Sequence, residues 1–338
     1  MRDYGNLEAL WSSERPIDNI RFFLRMRSVT ELMEFSTARR RAEIRIIERN
    51  RSPSSSFPVA VVIPTKDARG SLCERLTEYF APLHTIIVQS SGPFFNFATS
   101  ANEGLRIAAN SGAKWVIVSN DDMIPLTPIT QLLDEINRNK DADCLMASPA
   151  SPGRKYHSYE VSIVDFRFPN ELAFAFGASL THGEFPPLSS IIPFLLSKYH
   201  LSKSISAEFS EREIALMEAR ETSLLQIYKH ARRFQKRLLP PRRVGPFRNI
   251  GDFGILRSDL IVEQTFDECF INGMEDVDLS YRLWLEGADS RIIDFTIGSI
   301  GEVSIAPTTK ALIRGWIHSV LNRAYFFHKH KFLRGTVH

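Results

Sequence analysis

The sequence predicts an α/β fold: a mainly parallel central sheet with helices on both faces, extended by a helical N-terminal arm, a helical insertion and an amphipathic C-terminal helix. Three observations lead there. From Val59 onward, short apolar runs rich in β-branched residues alternate with longer stretches of helical periodicity, the pattern of βαβ units. The short runs are apolar throughout rather than alternating, as expected of strands covered on both faces. Of 338 residues, 43% are hydrophobic and 24% charged, which supplies a large core and excludes a disordered chain.

Residues 1–56 read as a helical arm and linker. Ile20, Phe23 and Leu24, then Leu32 and Phe35, recur at three- and four-residue steps among arginines, and the stretch from Arg51 to Pro58 has linker composition. Residues 57–183 hold the first half of the α/β unit. Strands are expected at Val59–Ile63, His84–Gln89 and Lys114–Ser119, and helices at Ser71–Phe80, Ala98–Asn110 and Pro128–Asn139. Residues 184–248 break the rhythm as an insertion, with helices at Ser189–His200 and Ala207–Leu238 and a basic end from Lys229 to Arg248 that contains no acid. The α/β pattern resumes over residues 249–305, with a helix at Glu275–Leu285 and a strand at Ser290–Phe295. Residues 306–338 form an acid-free basic tail in which Leu312, Trp316 and Val320 share a helical stripe with Ile313, Ile317 and Leu321.

Charge and cysteine content narrow the class of function. Lysine plus arginine (42) against aspartate plus glutamate (39) leaves a net charge of +3, which excludes a generic polyanion binder and directs attention to where charge is placed. No apolar run reaches the 18 to 20 or so residues that span a bilayer, and Met1 to Trp11 carries acids where a secretory signal would be apolar. Cys73, Cys144 and Cys269 are isolated, with neither a disulfide framework nor a metal-ligand spacing. A soluble, cytoplasmic protein is the expectation.

Ligand sites in open α/β sheets lie at the carboxyl ends of strands, so the residues just after each apolar run carry the functional signal. The run Trp115–Ser119 ends in Asn120, Asp121 and Asp122. Adjacent carboxylates at a sheet edge repel unless a cation offsets them, and oxygen ligands of this type suit Mg²⁺ or Mn²⁺. An Asx turn leading to a helix cap at Thr127 accounts for the same residues without a metal. Gly273 permits a tight turn ahead of Glu275, Asp276 and Asp278, acids that also suit the first turn of a helix. Asp278 and Arg282 are spaced to pair along the helix, which leaves Asp276 as the acid for a cleft. Pro64, Thr65 and Lys66 follow the first strand, and Asn102 to Gly104 open another polar loop. Neither is a phosphate-cradling glycine loop.

Together these segments resemble the family 2 type of glycosyltransferase with the GT-A, Rossmann-like fold. The resemblance rests on Ile63-Pro64-Thr65-Lys66, Asn102-Glu103-Gly104, the apolar strand ending in Asn120-Asp121-Asp122, then Gly251, Phe266-Asp267-Glu268 and Glu275-Asp276-Val277-Asp278-Leu279. It covers roughly residues 57–150 and 250–295, less than half of the chain. Three positions depart from the family pattern: Asn120 replaces the first acid of the Asp-x-Asp motif, no histidine follows Arg291–Ile297, and Gln89-Ser90-Ser91 stands where an acid commonly reaches the base.

The resemblance implies an inverting hexosyltransferase-like enzyme using a nucleoside-diphosphate sugar. Asp122, with Asp121 beside it, would hold the divalent cation (Mn²⁺ or Mg²⁺). Pro64, Thr65, Lys66 and Gln89 would line the nucleoside pocket, Asn102 the ribose or phosphate side, and Asn120 and Asp121 the ribose and metal. Asp276 would be the general base, and Glu275 would hydrogen-bond the acceptor. The acceptor class, whether glycan, lipid or protein, stays open. A hydrolase with two opposed acids is disfavoured, because neighbours on a helix point about 100° apart.

Two other readings of the enzyme region stand beside this one: a non-catalytic relative that binds a nucleotide sugar or a partner, and a sugar-phosphate nucleotidyltransferase, whose glycine-rich loop is missing. The basic tail fits either docking onto the catalytic domain or peripheral contact with an anionic membrane. The Arg-rich arm fits a homodimer contact or a flap over the core. Nucleic acid fits least, since no stacking aromatics interleave the basic stretches in a recognisable module.

Overall fold

The computed structural model describes residues 8–12, 16–26, 28–50, 58–149, 160–164, 243–299 and 309–330. The helices expected within 184–238 and most of the basic run from Lys229 to Arg248 lie outside these residues. The strands are β1 (Ile44–Arg49), β2 (Val59–Thr65), β3 (His84–Ser90), β4 (Trp115–Ser119), β5 (Met123–Pro125), β6 (Cys144–Pro149), β7 (Glu160–Val164), β8 (Arg243–Arg248), β9 (Phe253–Arg257) and β10 (Ser290–Ser299). The helices are α1 (Ala9–Ser12), α2 (Pro16–Arg25), α3 (Val29–Ala38), α4 (Ser71–Tyr79), α5 (Phe97–Asn110), α6 (Ile129–Arg138), α7 (Ser258–Glu263), α8 (Glu275–Leu285) and α9 (Thr309–His330).

Eight strands form one sheet in the order β1-β3-β2-β4-β9-β6-β10-β5, while β7 and β8 pair separately. The α/β class is as expected, but the sheet is mixed rather than mainly parallel. Pairs β2–β3, β2–β4 and β6–β10 are parallel, and β1–β3, β4–β9, β6–β9 and β5–β10 are antiparallel. A strand buried on both faces is apolar throughout whichever way its neighbours run, so direction leaves no trace in composition.

Alternation along β2 builds two cores. Val61 and Ile63 face Cys73 and Leu76 of α4, Phe80 just after it, and Leu132 and Ile136 of α6, whereas Ala60 and Val62 face Ala98, Ala101 and Leu105 of α5 and Leu279 of α8. Each large apolar side chain withdrawn from water stabilises the fold by roughly 1.5–3 kcal/mol. On α5, Gly104 lies so close to the sheet that a Cβ would sit 2.3 Å from Val62 Cγ1. This glycine of the Asn102-Glu103-Gly104 segment thus serves close helix-to-sheet packing.

The arm departs from its expected helical form at β1, which pairs antiparallel with β3 at the sheet edge. Ile44, Ile46 and Ile47 among charged residues suit a short helix or a half-exposed edge strand equally well, and the pairing with β3 decides between them. The rest of the arm packs with the C-terminal helix. Leu10, Trp11, Phe23, Leu32 and Phe35 are buried, as are Ile317, Leu321, Ala324, Tyr325, Phe326 and Phe327. His318 Nε2 lies 2.7 Å from the Leu10 carbonyl, and the Arg39 guanidinium sits 4.3 Å over the Trp11 ring. The tail's apolar face is therefore docked on the protein where its side chains are described. Among the described residues no helix is long and apolar enough to cross a membrane.

Candidate functional site

Strand ends bring the acids together. The chain leaves β4 at the carboxyl edge, where the Asn120 amide N–H donates to the Asp252 carbonyl at 2.9 Å. Its side-chain Nδ2 donates to Asp252 Oδ1, also at 2.9 Å. Because β9 runs antiparallel to β4, with Ser119 opposite Phe253, the residue ahead of β9 lies at the same edge as the residue after β4. Asn120 Oδ1 is buried and has no hydrogen-bond partner among the described residues.

Beside this pair, the Thr65 hydroxyl at the end of β2 donates to Asp121 Oδ2 at 2.5 Å and accepts from the Asp67 N–H at 3.1 Å. Gln89 is directly opposite Thr65 on β3, so both side chains share one face of the sheet. Pro64 is buried within β2, and Lys66 is exposed in the loop that follows. Ser299, the last residue of β10, donates to Asp122 Oδ2 at 3.3 Å. Residues 123–125 after the turn pair with the end of β10 at the far edge of the sheet, which is how Ser299 reaches Asp122.

The second acidic group enters from the start of α8. Its lead-in is unusual: Asn272 and Met274 have φ of 46° and 67°, and Gly273 lies between them. Each left-handed non-glycine residue costs roughly 1–2 kcal/mol, so the segment is held by its surroundings. Asn272 accepts from the Phe97 N–H at 2.9 Å and donates to the Phe95 carbonyl at 3.1 Å. Glu275 Oε2 accepts from the Gly273 N–H at 2.5 Å. Asp276 is half-buried, and its Oδ2 accepts from Asn249 Nδ2 at 2.9 Å. The Ser280 hydroxyl, within 2.9 Å of Asn249 Oδ1 and 2.7 Å of the Asp276 carbonyl, locks this arrangement.

Glu275 itself is buried at the head of α8. Burial first, then the neighbouring Asp276 and the more distant Asp252, push its pKa up to about 8, so the carboxyl carries its proton at neutral pH. The native state then binds more protons than the unfolded chain between the ordinary glutamate range and about pH 8, and stability falls as pH rises through that window. Relative to Glu275→Gln, the wild type should lose on the order of 3–5 kcal/mol between pH 5 and pH 9, measured by urea unfolding at each pH. Parallel stability curves for the two proteins would contradict the buried, protonated state.

Asn102 lies apart from this cluster. Its Nδ2 donates to the Phe266 carbonyl at 2.9 Å and to Glu268 Oε1 at 3.2 Å, and its Oδ1 accepts from the Phe266 N–H at 3.0 Å. The amide expected on the ribose or phosphate side is thus engaged in holding residues 266–268 against α5. Asp278, fully buried, pairs with Arg282 at 3.0 Å as its spacing predicts, and with Lys329 at 2.8 Å and His330 at 2.7 Å.

Asp252, Asn249 and Ser299 belong to the site but were not singled out from the sequence. Asp252 carries the same signal as Asp121, an acid at an apolar strand's end, on a strand that runs the other way. Asn249 and Ser299 lack any local signal, since their roles depend on contacts with Asp276 and Asp122 far along the chain.

Among the described residues no group of three or more His, Cys, Asp or Glu is disposed to hold a metal. The donors that are present fit a looser mode of binding. Asp121 and Asp122 stand side by side at a strand end, and Mg²⁺ is usually held by one or two carboxylates together with substrate phosphates and water. No known family model matches the chain, and no curated protein matches it significantly.

Proposed function

We propose that the chain is an inverting glycosyltransferase that moves a sugar from a nucleoside-diphosphate donor to an acceptor hydroxyl. The observation that carries this reading is that the segment Asn249–Asp252 at the head of β9 bonds both acidic groups, Asn120 through Asp252 and the Asp276 carboxylate through Asn249. Thr65, Gln89 and Lys66 at the ends of β2 and β3 would take the nucleoside. Asp122 with Asp121 would hold Mn²⁺ or Mg²⁺, which when bound neutralises charge on the leaving diphosphate.

Asp276 would accept the proton of the attacking hydroxyl. Asn249 orients its carboxylate through one oxygen and leaves the other for the substrate. The protonated Glu275 beside it would be able to donate a hydrogen bond, which a carboxylate cannot, were an acceptor oxygen to reach its buried position. Attack opposite the leaving group, with one base and no covalent intermediate, gives inversion.

Incubation with a panel of nucleoside-diphosphate sugars and Mn²⁺, with or without simple glycoside acceptors, tests the reading. Release of the nucleoside diphosphate and a product of inverted anomeric configuration by NMR are expected; retained configuration would exclude the single-base mechanism. The second reading, a binder of nucleotide sugars without chemistry, draws on Asn120 in place of the motif's first acid. It predicts saturable donor binding with no diphosphate release for any donor. Residence in the cytoplasm and peripheral contact with a membrane are further proposals, which fit the basic composition of the tail.

A further inference from the structure

We propose that Asn322, on α9, is a positioning residue for the Glu275–Asp276 pair, and that the C-terminal helix is therefore a working part of the site. The inference rests on the functional reading above and adds a component to it.

The contacts are specific. Asn322 is 2% exposed, and its Oδ1 accepts from the Ile271 N–H at 2.8 Å. Its Nδ2 donates to the Ile271 carbonyl at 3.0 Å and to the Gly273 carbonyl at 2.9 Å. One side chain thus satisfies three main-chain groups in the segment that immediately precedes Glu275. That segment contains the positive-φ residues Asn272 and Met274, a conformation that free chain would leave. Asn272 fastens the same segment to the start of α5 from the opposite direction.

The other flank of the pair is tied to the same helix. Lys329 and His330 bind Asp278, two residues beyond Asp276, while Tyr325 and Lys329 bind Asp267 at 2.6 Å and 2.7 Å. Positions 322, 325, 329 and 330 fall on one face of a helix, so α9 carries a polar stripe within its buried surface that brackets Glu275 and Asp276 on both sides. A helix that served only to cover apolar surface would not need a buried amide matched to three backbone groups.

The test compares wild type with Asn322→Ala and with the near-isosteric Asn322→Asp, which keeps the acceptor and removes both donors. Urea unfolding establishes that at least one variant is folded. Hydrogen exchange should rise about tenfold or more at residues 273–276, with residues 279–285 and β2–β4 unchanged. The turnover number should fall roughly ten- to a hundredfold with the donor KM within about threefold, because displaced reacting groups cost rate rather than binding. The pH–rate profile should shift along with it. Exchange that is unchanged or raised everywhere, or a local rise with normal turnover, would overturn the proposal. Should the wild type transfer no sugar from any donor, the glycosyltransferase reading fails on its own. The positioning is then decided by the NMR titration of the Glu275 carboxyl, which must move in the variants if Asn322 sets its environment and overturns the proposal if it does not.

Discussion

Asp276→Asn is expected to reduce glycosyl transfer by about 10²–10⁴-fold, the range for loss of a positioned general base. The amide can still face Asn249 after rotation, so the local fold should persist and donor binding, which the proposed function assigns to Thr65, Asp121 and Asp122, should stay within severalfold of wild type. Turnover is read from nucleoside-diphosphate release and binding from calorimetry with the unhydrolysed donor or the nucleoside diphosphate. Near-normal turnover would remove Asp276 from the mechanism. Loss of binding and turnover together would mean that the residue holds the site's shape instead. Glu275→Gln is a useful companion, since its side chain remains a hydrogen-bond donor where the protonated carboxyl was one.

The largest stability effect is expected from Asp278→Asn, at about 3–5 kcal/mol in urea unfolding. This carboxylate is fully buried and faces Lys329, His330 and Arg282 at 2.7–3.0 Å. Burial alone would raise its pKa, but the His330 hydrogen bond and the charges of Lys329 and Arg282 more than offset that and hold it below the usual carboxylate range. Its contribution is therefore present above the ordinary aspartate pKa and lost as pH falls through the lower, folded value. The variant should lose stability at neutral pH and show a shallower acid transition than wild type. A change below about 1 kcal/mol would mean that Lys329 and His330 find other partners. Asp276 is half-buried beside Asn249 and Asp278 is fully buried against α9, so Asp276→Asn should lower turnover at unchanged stability, whereas Asp278→Asn should lower stability and, through α9, turnover as well.

Much of the frame was legible in the sequence because burial on both faces writes itself as continuous β-branched runs. Val59–Thr65, His84–Ser90 and Trp115–Ser119 are strands near their expected limits, and α4, α5, α6 and α8 follow the expected periodicity. What stayed hidden depends on pairing. Edge strand β1 shares its pattern with a helix turn, and the reversal of β9 is invisible until Ser119 lies against Phe253. The acids at the ends of β4 and at the head of α8 could be flagged by position. Their connection could not, because Asp252 acquires meaning only from Asn120, 132 positions away. Likewise Asn322 reads as one polar residue in an apolar helix, and its partners at Ile271 and Gly273 are 51 and 49 positions distant.

The bond between His318 and the Leu10 carbonyl spans 308 positions, and this bears on how the molecule assembles. The β2–β3 and β2–β4 pairs join segments close in the chain, whereas the union of the arm with α9 joins the most remote described parts. Closing so long a loop costs more chain entropy than forming a local pair. Asn322 sits on that same helix, so the backbone at 271–274 has its full set of partners only when α9 is docked. Under the proposed function, a chain with α9 undocked would keep the ends of β2, β3 and β4 for a nucleotide and lack the fastened Glu275–Asp276 pair that uses it.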